Sequence, residues 1–322
     1  MRRYLIGTGV ALLSFALSRA VRGEPGDDEV PAEEAPTAAG QVDRISVGSL
    51  PAALVELASA VRAQPIAARM EAVSRPMLGQ PYRSDPLGEG EGYDPDPPAR
   101  YDVWDCLTFV EEVLALSLAG DPAHAASVRT SLRYGDRTPS YATRHHFMEL
   151  QWLPEAQAQG WLVDTTRTYG AVQRMRREVH RGTWDSWSRR SLFALTDAQL
   201  PLGTMHLDVL SIDEALRVVD QLRPGSVLLT VRQDRAWVPI WTTHLGFLIP
   251  AERPTVRHAT RMQARVVKDH SLTWYLEHLR TYTNWPVAGV AVFEPREQGP
   301  RLSALPQGRD QGVPTELQAP KR

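Results

Sequence analysis

Thiol pairs are the first thing missing. The 322 residues hold one cysteine, Cys106, so no intramolecular disulfide can form. No apolar run reaches the roughly 20 residues that a transmembrane helix needs; the stretch at 4–17 falls short. Charge of one sign is also missing. The formal net charge is -2, from 36 Lys and Arg against 38 Asp and Glu, and nothing global recommends a nucleic-acid partner. His-Glu-x-x-His, Cys-x-x-Cys, a phosphate-cradling glycine loop and a serine-centred nucleophile elbow are all absent.

What is present begins with Met1-Arg2-Arg3 and the apolar stretch 4–17, which read as the two leading regions of a secretory signal spanning 1–23. Cleavage sites are available at 18–20 and 21–23. An uncleaved membrane anchor is the alternative, and the lack of a nearby cysteine excludes a lipid anchor. The expectation is an exported protein, periplasmic or extracellular, without stable membrane insertion once the signal is cut. Residues 24–47 are acidic and rich in proline and alanine, a disordered linker. A domain over 48–298 follows, with a disordered tail over 299–322. The composition of the whole chain, 43% hydrophobic and 23% charged, is that of a soluble globular protein.

Within the domain, apolar spacing of three and four predicts helices at 50–63 and 66–78, then one starting at Cys106 and ending at Gly120. Further helices are expected at 123–132, 171–179 and 212–222. After Pro224-Gly225, short strands are expected at 226–231, 237–241, 245–249, 263–267 and 287–293. Helices first and a sheet afterwards mean an α+β fold, with the Cys106 helix packed on an antiparallel sheet.

A free cysteine is often an inert buried hydrophobe. Cys106 has a setting that suggests more. Asp105 is placed to cap the helix, and a helix N-terminus lowers a thiol pKa of about 8.5 towards neutrality. The Cys106 sulfur would then face outward, with its backbone N–H free for an oxyanion. A base for such a nucleophile is a histidine held by a third group. Of nine histidines, His244 lies in Thr243-His244-Leu245-Gly246 and His258 in Val256-Arg257-His258-Ala259. Antiparallel neighbours can bring these two to one face, where one imidazole orients the other.

The order of these residues resembles the NlpC-type branch of the papain-like cysteine peptidases, which cut bacterial cell-wall peptides. Leu78-Gly79-Gln80-Pro81-Tyr82 is similar to that branch's Leu-Gly-Thr-Pro-Tyr. More narrowly, Asp105-Cys106-Leu107-Thr108-Phe109-Val110-Glu111 resembles the Asp-Cys-Val-Thr-Phe-Val-Glu hallmark of the N-acetylmuramoyl-L-alanine amidase-like family. Tyr141-Ala142-Thr143-Arg144-His145-His146-Phe147 is similar to its Ser-Arg-Leu-His-Tyr-Phe segment, with His145, Phe147 and Met148 departing from the pattern. The likeness spans roughly residues 52 to 295.

The resemblance implies a papain-like fold and a Cys-His-His triad. Cys106 would be the nucleophile that forms an acyl-enzyme, His244 the general base and then acid, and His258 its orienting partner. The expected substrates are peptidoglycan fragments (muropeptides), cut at the N-acetylmuramoyl–L-alanine amide or, alternatively, at D-glutamyl–diaminopimelate in the stem. No cofactor is implied. Tyr82 is a candidate oxyanion donor or a buried turn residue. Arg144 is a candidate for a substrate carboxylate or a surface arginine. His146 is a candidate for the cleft wall, and Trp104 and Trp241 for stacking on substrate or for the core.

Two other classes compete. His145, His146 and Glu149 lie close enough in sequence to suggest a zinc site, though without a recognised spacing. The basic run from Arg174 to Arg181, with Trp184 and Trp187, would suit a non-catalytic wall-binding module or a solvated helix face.

Overall fold

A computed structural model of the protein describes residues 50–305. The expected signal and linker, and the expected tail from 306 on, lie outside the described residues.

Helices lead, where the apolar spacing placed them: α1 (Ala52–Val61), α2 (Ile66–Ser74), α3 (Cys106–Leu118) and α4 (Ala125–Tyr134). A reciprocal cap starts α3. The Asp105 carboxylate accepts the Thr108 amide at 2.8 Å, and the Thr108 hydroxyl accepts the Asp105 amide at 3.1 Å. At the other end Gly120, just past Ala119, takes the left-handed conformation that terminates helices (φ 67°).

The chain continues through α5 (Leu153–Ala158), β1 (Leu162–Asp164), α6 (Thr166–Tyr169), β2 (Gln173–Val179), α7 (Arg181–Ser186), β3 (Gly203–Val209) and α8 (Ile212–Arg217). Then come β4 (Val227–Arg232), β5 (Thr242–Ile249), β6 (Thr255–Ala259), β7 (Val267–Ser271), α9 (Leu272–Leu279), β8 (Val287–Pro295) and α10 (Gly299–Ala304). Six strands form one sheet in the order β1-β8-β4-β5-β6-β7, each neighbouring pair antiparallel; β2 and β3 form a separate antiparallel ribbon.

Strand β4 is buried along its whole length, as its apolar run requires. Val227, Leu229 and Val231 join Phe109, Val110, Val113 and Leu114 of α3, whereas Leu228 joins Ile212, Leu272 and Leu276 of α8 and α9. The sheet is therefore covered by helices on both faces. Phe109 stacks on Phe247 at 5.5 Å, tying α3 to β5; truncating either ring would cost about 3–5 kcal/mol.

Three expected elements differ. Residues 171–179 form no helix, and Gln173–Val179 is strand β2. Met175 and Val179 stand four apart, a spacing that suits both periods, and Arg177 occupies the inward strand position between them. Residues 237–241 form no strand, because Pro239 offers no N–H and the Trp241 amide is taken by Glu149. Residues 263–267 form a tight turn with Gln263 and Arg265 at positive φ (58° and 54°), and β7 begins only at Val267. The tail expected from 299 starts with α10, whose Arg301 pairs with Asp136.

Candidate active site

Cys106 is the first residue of α3, as expected, but its thiol does not face outward: only 8% of the residue is exposed. Its pKa moves opposite to expectation. Burial, and then the Asp105 carboxylate, push it up to about 12, against a hydrogen bond from the Leu245 backbone amide and the positive charge of Arg261. Desolvation outweighs the helix terminus here. The resting sulfur is a neutral thiol. As the first residue of the helix, Cys106 also keeps its own amide outside the intrahelical ladder.

Tyr82 comes within electrostatic range of Cys106 by a separate route. Residues 80–83 run extended between the β6–β7 turn and the approach to α3: the Tyr82 amide donates to the Arg265 carbonyl at 2.7 Å, and the Arg83 amide to the Trp104 carbonyl at 2.9 Å. Burial raises the Tyr82 pKa, and a thiolate at Cys106 and the Asp105 carboxylate each raise it further. Its hydroxyl therefore stays protonated and able to donate.

The imidazoles stand on neighbouring strands. Phe247 pairs with Arg257, so Gly246 falls opposite His258, and a Cβ on Gly246 would lie 2.9 Å from that of His258. The glycine lets β6 close against β5. His244, two residues along, then shares a face with His258, and its Nε2 lies 2.7 Å from His258 Nδ1. The row continues to a residue that the sequence reading missed: His258 Nε2 lies 2.8 Å from Nδ1 of His270 on β7. Tyr275 of α9 sets its ring edge-on to His258 at 5.3 Å and shares a 2.6 Å hydrogen bond with the Thr230 hydroxyl.

Burial holds these imidazoles neutral. It lowers His244 to about 3, helped by Arg261, Arg232 and His270, and lowers His258 well below the usual value. Among the described residues His244 makes no hydrogen bond to Cys106; the backbone amide of Leu245, the next residue, favours the thiolate form of the sulfur. With the proton on Nε2, directed at His258, the Nδ1 of His244 carries a lone pair.

Two further groups bear on the centre, Glu149 in a role other than the zinc site its sequence neighbours suggested and Arg261 without a sequence signal. Glu149 is buried, and its Oε1 accepts the Trp241 and Thr242 amides, which fixes the start of β5. Arg261, beyond the end of β6, acts on Cys106, Tyr82 and His244 alike.

Four expected substrate contacts are committed to partners within the fold. Arg144 is half-buried, and its two terminal nitrogens are committed to Glu89 at 2.9 Å, Asp94 at 2.5 Å and the Leu87 carbonyl at 3.2 Å, which leaves only its buried Nε without a partner. The same contact anchors the glycine-rich loop 88–92. His146 is buried against Tyr141, Phe147 and Phe193, with Nε2 donating to the Tyr141 carbonyl at 2.6 Å. Trp241 is fully buried and donates to Asp234 at 2.6 Å, and Trp104 is in the core as well. His145 binds the Leu132 carbonyl instead of turning towards His146 and Glu149. Among the described residues no group of three His, Cys, Asp or Glu converges as a metal site would.

A helix-flanked antiparallel sheet, a thiol at the start of α3 and imidazoles in register on adjacent strands define an α+β protein. The model of the N-acetylmuramoyl-L-alanine amidase-like family matches residues 72–282, and the chain belongs to that family. Among solved structures it is similar to a Legionella pneumophila protein, with 22% identity over 76% of this chain and 93% of that one and a TM-score of 0.67. It is also similar to an N-acetylmuramoyl-L-alanine amidase from Bacteroides uniformis, with 18% identity over 72% and 99% and a TM-score of 0.57. At such identities the likeness is one of fold. No curated protein matches the chain.

Proposed function

We infer that the protein is an exported cysteine amidase of NlpC-type, papain-like design that hydrolyses the N-acetylmuramoyl–L-alanine amide of peptidoglycan fragments. The observation that carries this reading is the His244–His258 pair, held across β5 and β6, with His244 next to Leu245, whose backbone amide favours a thiolate at Cys106.

In the first step the thiol proton passes to His244 Nδ1 as the sulfur attacks the lactyl carbonyl carbon. Because thiol and imidazole both rest neutral, transfer and attack are concerted; the two charges appear together and attract each other in a poorly solvated site. The Cys106 amide and the Tyr82 hydroxyl face the developing oxyanion. His244 next gives its proton to the alanine nitrogen, the C–N bond breaks, and a thioester remains. Water, deprotonated by the same imidazole, releases the muramic acid carboxylate and restores the thiol. The sulfur–imidazole hydrogen bond forms on substrate binding, as catalytic contacts often tighten only in the complex.

Defined muropeptides incubated with the parent protein and with Cys106→Ala, followed by mass spectrometry, test this. The parent is expected to release a peptide with a free alanine amine, resistant to chelators and sensitive to thiol alkylation, and the variant to lose about 10⁴-fold or more. Cleavage between D-glutamate and diaminopimelate would make it a stem endopeptidase. Wall binding without turnover by either protein would make it a binding module.

A further inference from the structure

We propose that His270 is a positioning residue of this site: through His258 it sets which nitrogen of His244 carries the proton, and it shares the charge that His244 acquires. The proposal rests on the reading of His244 as general base.

Three strands in register carry three imidazoles on one face. His258 opposes Lys268 and Val256 opposes His270, so His258 and His270 are diagonal neighbours across β6 and β7. Successive rings meet nearly perpendicular, at 78° and 77°, with nitrogen–nitrogen distances of 2.7 and 2.8 Å. Each such contact holds one proton. A neutral row has two orderings that satisfy both contacts. In the outward ordering His244 Nε2 donates to His258 Nδ1, and His258 Nε2 donates to His270 Nδ1. This leaves a lone pair on His244 Nδ1. The inward ordering puts a proton there and removes the base. An acceptor nitrogen at position 270 is thus what the outward ordering needs at its far end.

The row also conducts charge. When His244 gains the thiol proton, two proton shifts along the contacts carry the positive charge to His270. That ring is half-buried and stacked on Trp274 at 4.4 Å, and an aromatic face favours a cation. The charged and titratable groups around it are Lys268 on its own face of β7, Asp269 next to it but turned to Arg257 on the other face, His258 from β6 and His278 from α9. Asp269 favours the charged ring; Lys268 and His278 oppose it. Burial is lighter than at His244 or His258, so charge is less costly at this end of the row.

The test compares His270→Phe, which keeps the stack on Trp274 but removes the nitrogen acceptor, with His270→Gln, which keeps an acceptor. His270→Phe is expected to lower kcat about tenfold with KM unchanged within twofold, and to move the acidic limb of kcat/KM to lower pH; Gln restores most of the rate. Nitrogen NMR of the His244 ring gives a readout that needs no turnover: Nδ1 is unprotonated in the parent and in the Gln variant, and becomes partly protonated in Phe. A parent that hydrolyses no muropeptide while its tautomer still depends on position 270 would sink the amidase reading and leave this one standing. A parental tautomer and pH profile in the Phe variant would overturn the proposal. So would equal losses in Phe and Gln that track their melting temperatures.

Discussion

Nε2 of His244 and Nδ1 of His258 meet at 2.7 Å, although fourteen positions separate them in the chain. The contact exists because β5 and β6 pair in a register that puts both rings on one face, and it gives the His244 ring a fixed orientation. Replacing His258 by Phe keeps much of the ring volume and deletes the acceptor. On the proposed mechanism kcat should fall about 10²–10⁴-fold, with a smaller loss for His258→Gln. Steady-state turnover of a muropeptide substrate by the two variants measures this.

Gly246 controls the same contact through the backbone. A Cβ there would stand 2.9 Å from both the His258 Cβ and Val256 Cγ2, and 3.0 Å from the Arg257 carbonyl oxygen. None of these is the free end of a flexible side chain, so the strands themselves must part. Gly246→Ala should therefore lose about 1–3 kcal/mol of stability and turn the His258 ring away from His244. Denaturant midpoints with unchanged slope, read beside turnover, should show activity lost at temperatures where the variant is still folded.

How much of this was legible in the sequence depended on pattern. The helices were readable because Phe109, Val110, Val113 and Leu114 recur at helical spacing, and the first residue of α3 because Asp105 and Thr108 form a cap. His244 and His258 were readable because a glycine and apolar neighbours mark their strands. His270 was not: β7 reads Val267-Lys268-Asp269-His270-Ser271, with one buried residue and no alternation, and only its register against Val256 brings the ring into the row. Strand β2 was hidden by Arg177, whose guanidinium fills an inward position by bonding the Arg235 and Val238 carbonyls. The fate of Arg144 was equally hidden, since its carboxylate partners Glu89 and Asp94 lie some fifty positions earlier. The burial that sets the Cys106 pKa belongs to tertiary packing, and the helix terminus alone misjudges it.

Asp105 has two effects on Cys106 that one substitution separates. It caps α3, and its charge raises the thiol pKa. Asp105→Asn keeps an acceptor for the Thr108 amide and removes the charge, so the helix stays capped while the thiol pKa drops. Asp105→Ala removes both and should cost about 0.5–2 kcal/mol. The rate of iodoacetamide alkylation against pH reads the difference: the rising limb should lie at lower pH in the Asn variant than in the parent. A limb that does not move would show that burial alone holds the thiol protonated.

His146 predicts a pH dependence of stability. Burial, helped by Arg144, lowers its pKa from 6.5 to about 3 in the fold, while its Nε2–H stays on the Tyr141 carbonyl. Between those values the unfolded chain binds the proton and the folded one does not. Stability from this group is therefore intact above pH 6.5 and is lost as pH falls, at about 1.4 kcal/mol per pH unit. Asp105 and Glu149, whose pKa values burial raises, act with the opposite sign as pH falls, so the parent curve alone mixes the two. His146→Gln cannot take up the proton in either state. Its stability should start lower than the parent's at pH 7 and decline more shallowly, so the gap between them narrows by about 1.4 kcal/mol for each unit from pH 6 to pH 4. Urea unfolding at half-unit pH steps measures the gap, and parallel curves would mean that His146 is protonated in the folded protein as readily as in the unfolded chain.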